Sequence, residues 1–304
     1  MLHKRAHLFV TLIAWAACGG CWHGRIIAVQ DSAGATVVLK GPARRIVSTV
    51  PSNTEILYAI GAEAQVVGVT QYCGKTCKTE GKAVIGGWVD ADLETVRALN
   101  PDLIFAFGGA QSPLTGRLRR IAPTYLFEPT TVQETLGGVL TAGHLTGHAD
   151  EAKAIFEREQ ATLRRVQEAL AAAPKDKRVK AARVFGPGEK VTTAGKKSVI
   201  GDVIAQAGGV NVFGDVDEDY FEVEFTRLAK LDPDVLIVHG EPADVEKRRE
   251  EFAKCPFYSQ LRAVKNGRVV VISCDHICHP NATIAETVEM VARGSYPDRF
   301  AAEK

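Results

Sequence analysis

The chain has 304 residues, with 37 Lys and Arg against 36 Asp and Glu and a formal net charge of +1. So balanced a composition gives no electrostatic footprint for nucleic acid or an anionic membrane, and 46% hydrophobic residues exclude a disordered chain. The length suits two lobes, each with a core of its own.

The N-terminus predicts an export signal over residues 1–21. Lys4 and Arg5 supply a positive start, and the apolar run from His7 to Ala17 is too short for the ~20 residues that cross a bilayer core. Small residues then surround Cys18 and Cys21. Ala16-Ala17-Cys18-Gly19 resembles a bacterial lipoprotein box, so lipidation at Cys18 or Cys21 competes with simple cleavage near Cys21. Either way the destination is the periplasm or another extracytoplasmic face.

A first lobe is expected over residues 25–148. Ile26 to Gln30 and Ala35 to Leu39 alternate as a hairpin around Asp31-Ser-Ala-Gly34. A buried strand at Ile46 enters the turn Pro51-Ser52-Asn53, where Ser52 or Asn53 can cap the next helix. A short strand from Val66 leads to a loop with Tyr72, Cys73 and Cys77, then Gly86-Gly87-Trp88 and a helix from Leu93 to Leu99. Leu103 to Phe107 reads as a buried strand ending in Gly108-Gly109, a turn suited to close approach of a ligand. A helix from Thr115, a strand from Thr124 and a helix from Val132 to Thr146 follow.

Residues 149–174 differ. Ala152, Ile155, Phe156, Leu163, Val166 and Leu170 recur at three- and four-residue steps, with no Gly or Pro before Pro174. This predicts one stiff helix linking the first lobe to a second over residues 175–304. The second lobe repeats the first: Ser198 to Gly209 matches the segment from Arg45 to Gly61, and Leu231-Asp-Pro-Asp-Val matches Leu99-Asn-Pro-Asp-Leu. Strands alternating with helices predict a parallel sheet in each lobe. The predicted architecture is therefore α/β, two Rossmann-like lobes on one long helix, with the ligand cleft between them. The sequence has no Gly-x-x-x-x-Gly-Lys-Ser/Thr loop, no Gly-x-Ser-x-Gly and no His-Glu-x-x-His. Nothing in it argues for an enzyme.

These motifs resemble, over nearly the whole mature length, the helix-spined substrate-binding proteins of bacterial ABC importers for vitamin B12, iron siderophores and haem. The resemblance rests on Arg45-Ile-Val-Ser with Pro51-Ser-Asn-Thr-Glu55, Val67-Gly-Val with Tyr72-Cys73, Gly86-Gly87 with Asp92-Leu-Glu94, Leu99-x-Pro-Asp-Leu103, Thr193-Ala-Gly195, Gly208-Gly-x-Asn211, Leu231-x-Pro-Asp234 and Ala263-Val-Lys-x-Gly-Arg-Val269. It is nearest to the vitamin B12-binding branch. It implies that Tyr72 and Trp88 face a corrinoid, whose broad macrocycle suits flat aromatic faces. It implies a second aromatic wall at Tyr220 and Phe221, and contacts from Ser52, Asn53, Gly108, Gly109, Asp275 and His276. Such proteins dock on an ABC permease and its ATPase through one surface Glu per lobe. Glu94 fits the first position; Thr226 stands at the second, near Glu222 and Glu224. The implied partners are that permease and a small molecule, with the protein acting as a monomer without a cofactor. A ferric siderophore or haem is the alternative cargo.

Cys73-x-x-x-Cys77 and Cys274-x-x-x-Cys278 are matching pairs, and the resemblance places both loops at the cleft. In an oxidising compartment each pair can close a local disulfide. Alternatively Cys73, Cys77, Cys274, His276, Cys278 and His279 offer thiolate and imidazole donors for a zinc-like ion. Cys274-x-x-x-Cys278-His279 is one residue longer than a covalent haem motif. A Cys/His metal or redox protein is thus the rival of another class. Cys255 is expected to be a buried, unreactive thiol.

Overall fold

The computed structural model describes residues 26–108, 112–172 and 178–300. The expected signal, Cys18, Cys21 and Gly109 lie outside them.

The first lobe opens with the antiparallel pair β1 (Ile27–Gln30) and β2 (Thr36–Leu39). Its turn is fixed by Asp31, whose buried carboxylate accepts the N–H groups of Ala33 and Ala35, while Gly34 takes φ 76°. Next come β3 (Ile46–Ser48), α1 (Pro51–Ala59), β4 (Val66–Val69), β5 (Ala83–Val84), α2 (Leu93–Ala98), β6 (Leu103–Phe107), α3 (Ser112–Leu118) and β7 (Thr124–Phe127). The five strands form a parallel sheet in the order β5-β4-β3-β6-β7. Along β6, Leu103 and Phe105 enter one core while Ile104 and Ala106 enter the other. A strand apolar on both faces requires helices on both sides of the sheet. One local expectation is corrected. The cap position of α1 is Val50, extended and without a side-chain cap, and Pro51 occupies the first turn. Proline has no N–H to leave unpaired there, so Ser52 and Asn53 lie inside the helix, both buried.

The two Leu-x-Pro-Asp steps do the same work in both lobes. The residue before each Pro, Asn100 or Asp232, turns left-handed at φ 46° and 40° and ends its helix. The Asp after each Pro then pins the neighbouring strand. Asp102 accepts the backbone N–H groups of Arg44 and Arg45 at 2.9 Å, and Asp234 accepts that of Lys180 at 2.9 Å.

The lobes are joined by α4 (Val132–Thr146) and α5 (Ala149–Leu170). Gly147, at φ 84°, makes the sharp turn between them. At Gly143 a Cβ would collide with the Ala152 methyl and come within 2.7 Å of the His148 carbonyl, so α4 and α5 touch backbone to backbone there. The 22 residues of α5 span roughly 33 Å. The predicted spine thus forms, with α4 as a second strut that the sequence reading placed wholly in the first lobe. Val139, Ala142 and Leu145 of α4 join the first-lobe core, whereas Val132 and Leu136 join the second-lobe core.

The second lobe comprises β8 (Lys180–Arg183), β9 (Lys190–Ala194), α6 (Val199–Gln206), β10 (Val210–Asn211), β11 (Tyr220–Glu224), α7 (Phe225–Leu231), β12 (Val235–His239), α8 (Val245–Lys254), α9 (Arg262–Lys265), β13 (Val269–Ile272), α10 (Cys274–Ile277) and α11 (Ile284–Ser295). Its parallel sheet runs β10-β8-β12-β13, and β9 with β11 forms a separate antiparallel pair. The first strand of the lobe begins at Lys180, within the expected bounds of 175–304. Ala181 and Ala182 are small but fully buried, so their weak apolar signal conceals a central strand.

Glu159 on the buried face of α5 accepts the Ala285 N–H at 3.0 Å, capping the first turn of α11 from the spine. Burial raises its pKa against the opposing hydrogen bonds. A carboxyl group with a raised folded pKa loses stabilising effect as pH climbs past its unfolded value, near 4.5. Glu159→Gln keeps an acceptor without the charge and is expected to flatten the fall in stability between about pH 4.5 and neutrality. Glu159→Ala, which leaves the N–H unpaired, is expected to cost about 1–3 kcal/mol. Urea unfolding at the two pH values measures both.

Candidate ligand-binding cleft

In open α/β sheets, ligands bind beyond the carboxyl ends of the strands, where the strand order reverses. In the first lobe that point lies between β3 and β6, and the next residues along the chain are Ser52 and Asn53 of α1 and Gly108. Both side-chain polar atoms of Asn53 are buried and unpaired among the described residues. Gly108 is glycine for a local reason, since a Cβ there would overlap the Glu128 carboxylate.

Tyr72 and Trp88 follow β4 and β5 along the same edge, each 38% exposed, so neither is a core residue. Trp88 is presented by the turn Gly86-Gly87. Gly86 takes φ 92°, and the Asp90 carboxylate fills the place of a Gly87 Cβ. Lys75 Nζ stands 5.9 Å from the Tyr72 ring centroid. An open groove of about 600 Å³ runs beside this edge, lined by Glu55, Tyr58, Cys77, Lys78 and Lys82 among others.

The second lobe faces it with the ends of β8, β12 and β13. Tyr220 packs edge-on against Phe185, centroids 5.5 Å apart, and the Arg183 guanidinium lies over Phe185 at 4.3 Å. Phe221 does not share this wall. Neighbours on a strand point to opposite faces, and Phe221 packs edge-on against the core ring of Phe213 instead, centroids 5.7 Å apart. His239 contacts the Phe185 ring, and its buried Nδ1 has no partner among the described residues. Burial, with Arg183 and Arg248 nearby, lowers its pKa.

The lobes meet at the cleft edge through His279, whose Nε2 lies 2.9 Å from the Glu55 carboxylate. Burial disfavours its imidazolium, but the hydrogen bond and charge of Glu55 outweigh it and raise the pKa. Asn281 anchors the intervening loop by donating to the carbonyls of Asp275 and His276 and accepting the Thr283 N–H at 3.0 Å. His276 is occupied on both ring nitrogens, by Ser273 Oγ at 2.9 Å and Glu286 Oε2 at 3.5 Å. It therefore does not present a free imidazole nitrogen to the cleft, and Asp275 is exposed beside it.

The five described cysteines are free thiols, which corrects the expected disulfides. Each Cys-x-x-x-Cys pair closes one helical turn, with Cys77 N–H on Cys73 O and Cys278 N–H on Cys274 O, both at 3.0 Å. Such a turn holds Cβ atoms about 5–6 Å apart, beyond the ~3.8 Å of a disulfide. Cys73 is moreover a core residue, its Sγ 3.2 Å from both Thr54 and Thr70 hydroxyls. With Cys73 in the core, His276 occupied and His279 on Glu55, the six-residue metal set does not converge. Among the described residues no three His, Cys, Asp or Glu side chains are placed to hold a metal ion. Nor is His279 free as an axial ligand for an attached haem. Cys255 is only partly buried.

At the C-terminal end of α10, Cys278 lies 3.9 Å from Arg183 Nη2. The hydrogen bond from Cys274, followed by the charge and contact of Arg183, lowers the Cys278 pKa to about 7, while the Cys274 pKa rises. Burial pushes Cys77 up to about 11. Sequence reasoning missed Arg183, Phe185, His239 and the role of Glu55. The signal for Arg183 was a charge inside the apolar strand Ala-Ala-Arg-Val-Phe. Glu94 is exposed, behind the Asp92 cap of α2, and pairs with Arg97 at 2.6 Å. Thr226 on α7 occupies the equivalent turn, also exposed.

The family described as periplasmic binding protein matches residues 46–275. The uncharacterized ABC transporter substrate-binding lipoprotein YvrC of Bacillus subtilis is 25% identical over 281 residues, 90% of this chain and 87% of that protein. A vitamin B12-binding protein of Yersinia pestis is 28% identical over 112 residues, 36% of this chain and 40% of its own length. The solved structure of Helicobacter pylori CeuE in complex with Ni-His superposes with a TM-score of 0.76 at 19% identity, covering 90% of each chain.

At about pH 7.5, alkylation is expected to reach Cys278 before Cys77 and to spare Cys73, as read by peptide mass spectrometry. A histidine with a raised folded pKa stabilises fully below its unfolded value near 6.5, and that stability is lost as pH rises through the folded value. Melting temperature is accordingly expected to fall across this window in the wild type. The fall is expected to be smaller in His279→Gln.

Proposed function

The chain belongs to the periplasmic binding protein family, and on that premise we propose that it captures a corrinoid, cobalamin or a related cobamide, outside the cytoplasm and delivers it to an ABC permease. It is a binding protein, not an enzyme. The observation that carries the corrinoid reading is the pair of exposed aromatic rings, Tyr72 and Trp88, at the carboxyl edge of the first-lobe sheet. Such rings are expensive to leave in water and immobilise few rotors when a flat macrocycle covers them. Tyr220 and Phe185 supply aromatic surface on the opposite lobe. The local match to a vitamin B12-binding protein supports the same cargo.

The double strut of α4 and α5 favours binding with little lobe closure. Release then requires the docked permease to spread the lobes. Glu94, exposed on the first turn of α2, is the first-lobe contact for permease arginines, and the second contact falls near Thr226, Glu222 and Glu224. The N-terminal segment carries the export signal, with Cys18 or Cys21 available for a lipid anchor.

Calorimetry of the signal-free protein with cyanocobalamin, haemin and a ferric hydroxamate tests the cargo. One-to-one binding of the corrinoid alone is expected, and Tyr72→Ala or Trp88→Ala should each weaken it by about tenfold or more, roughly 1.4 kcal/mol. Binding of haemin or the iron chelate with no corrinoid binding would transfer the assignment to that cargo.

A further inference from the structure

The corrinoid reading leaves Cys274 and Cys278 unused. They stand one helical turn apart at the two ends of α10, Cys274 exposed and Cys278 partly buried. That spacing is too wide for a sulfur–sulfur bond but suits one atom between two sulfurs. A metal about 2.3 Å from each sulfur holds them up to about 4.6 Å apart, within reach of Cβ atoms about 5–6 Å apart.

The neighbours decide which metal. No third His, Cys, Asp or Glu among the described residues converges on the pair, since His279 is held by Glu55 and His276 by Ser273 and Glu286. A two-sulfur site suits a soft ion that accepts linear coordination. Arg183 sets the charge. It is fully buried, its Nη2 lies 3.9 Å from Cys278 Sγ, its Nε is unpaired, and no carboxylate bridges to it among the described residues. A buried cation demands a compensating anion. Two thiolates with a monovalent ion carry one net negative charge and neutralise the guanidinium. With a divalent ion the thiolates are already neutralised and the guanidinium stays uncompensated.

We propose that Cys274 and Cys278 form a two-coordinate site for a soft monovalent cation of the copper(I) or silver(I) class, with Arg183 as counter-charge. Two metal–sulfur bonds form, any thiol protons leave to solvent, and no oxidation state changes. The loop held by Asn281 and by Thr287 Oγ1, 3.1 Å from the His276 carbonyl, keeps both sulfurs in place before the ion arrives. The inference does not depend on the cargo of the cleft.

The test titrates the reduced mature protein with copper(I) against a bathocuproine competitor, with silver(I) and zinc(II) in parallel. One equivalent of copper(I) or silver(I) is expected, with zinc bound far more weakly. Because loss of an outer partner alone costs up to about a hundredfold, Cys274→Ser and Cys278→Ser should each lower affinity by at least about that factor. Cys73→Ser, Cys77→Ser and Cys255→Ser should change it little, and melting curves verify folding. Arg183→Met should narrow the gap between copper(I) and zinc(II). Absence of copper(I) uptake, unchanged uptake in the Cys274 and Cys278 variants, or zinc bound by the wild type as tightly as copper(I), would each overturn the proposal.

Discussion

Everything at the cleft depends on the packing of α4 and α5 against each other and against α11. This joint positions two sheets that share no strand. The α5 face buries Ala152, Ile155, Leu163 and Val166, and each fully buried large side chain contributes about 1.5–3 kcal/mol before its ordering cost. The Glu55–His279 contact is one charge-assisted hydrogen bond, worth about 1.5–3 kcal/mol. The joint therefore sets the geometry of the lobes, and the contact biases only how tightly the edge of the cleft is shut. The Asp202 carboxylate of α6 ties in the start of α4, accepting the Val132 N–H at 2.8 Å.

Within each lobe the same local device delivers the strand ends to the cleft. A left-handed residue stops a helix, Pro prevents its continuation, and Asp binds the backbone entering the neighbouring strand. With the strands so pinned, Tyr72, Trp88 and Gly108 follow the carboxyl ends of one sheet, Phe185, His239 and the loop of α10 those of the other, and Glu55 meets His279 between them. Tyr72 and Trp88 supply aromatic surface on one side and Phe185 and Tyr220 on the other, while Glu55, His279 and Arg183 place charged groups at one corner. The cleft thus combines a stacking region with a small, electrostatically specific corner.

That corner shows how burial changes the chemistry of ordinary residues. A guanidinium in water has little influence on a thiol one loop away, but Arg183, cut off from solvent and with no carboxylate partner among the described residues, favours the thiolate of Cys278. The same isolation leaves Cys73 inert, because its sulfur is enclosed by Thr54, Thr70 and the first-lobe core.

Much of this was legible in the sequence, for reasons that lie in local physics. The expected helix from Val132 to Thr146 matches α4 at both ends, and periodicity revealed α5; turn chemistry at Asp31 located the first hairpin; the repeated Leu-x-Pro-Asp step exposed two similar lobes. Tyr72, Trp88 and Glu94 were singled out by the family resemblance, and all three lie exposed in the structure. Other features required the tertiary structure. Whether Tyr220 or Phe221 faces the cleft is decided by the register of β11 on β9. Whether paired cysteines bridge depends on the helical turns that separate them, which spacing alone does not specify. The isolation of Arg183, the contact of Glu55 with His279 across 224 positions of the chain, and the division of α4 between two cores are long-range facts. They arise only when the whole chain excludes water, and no local window of sequence contains them.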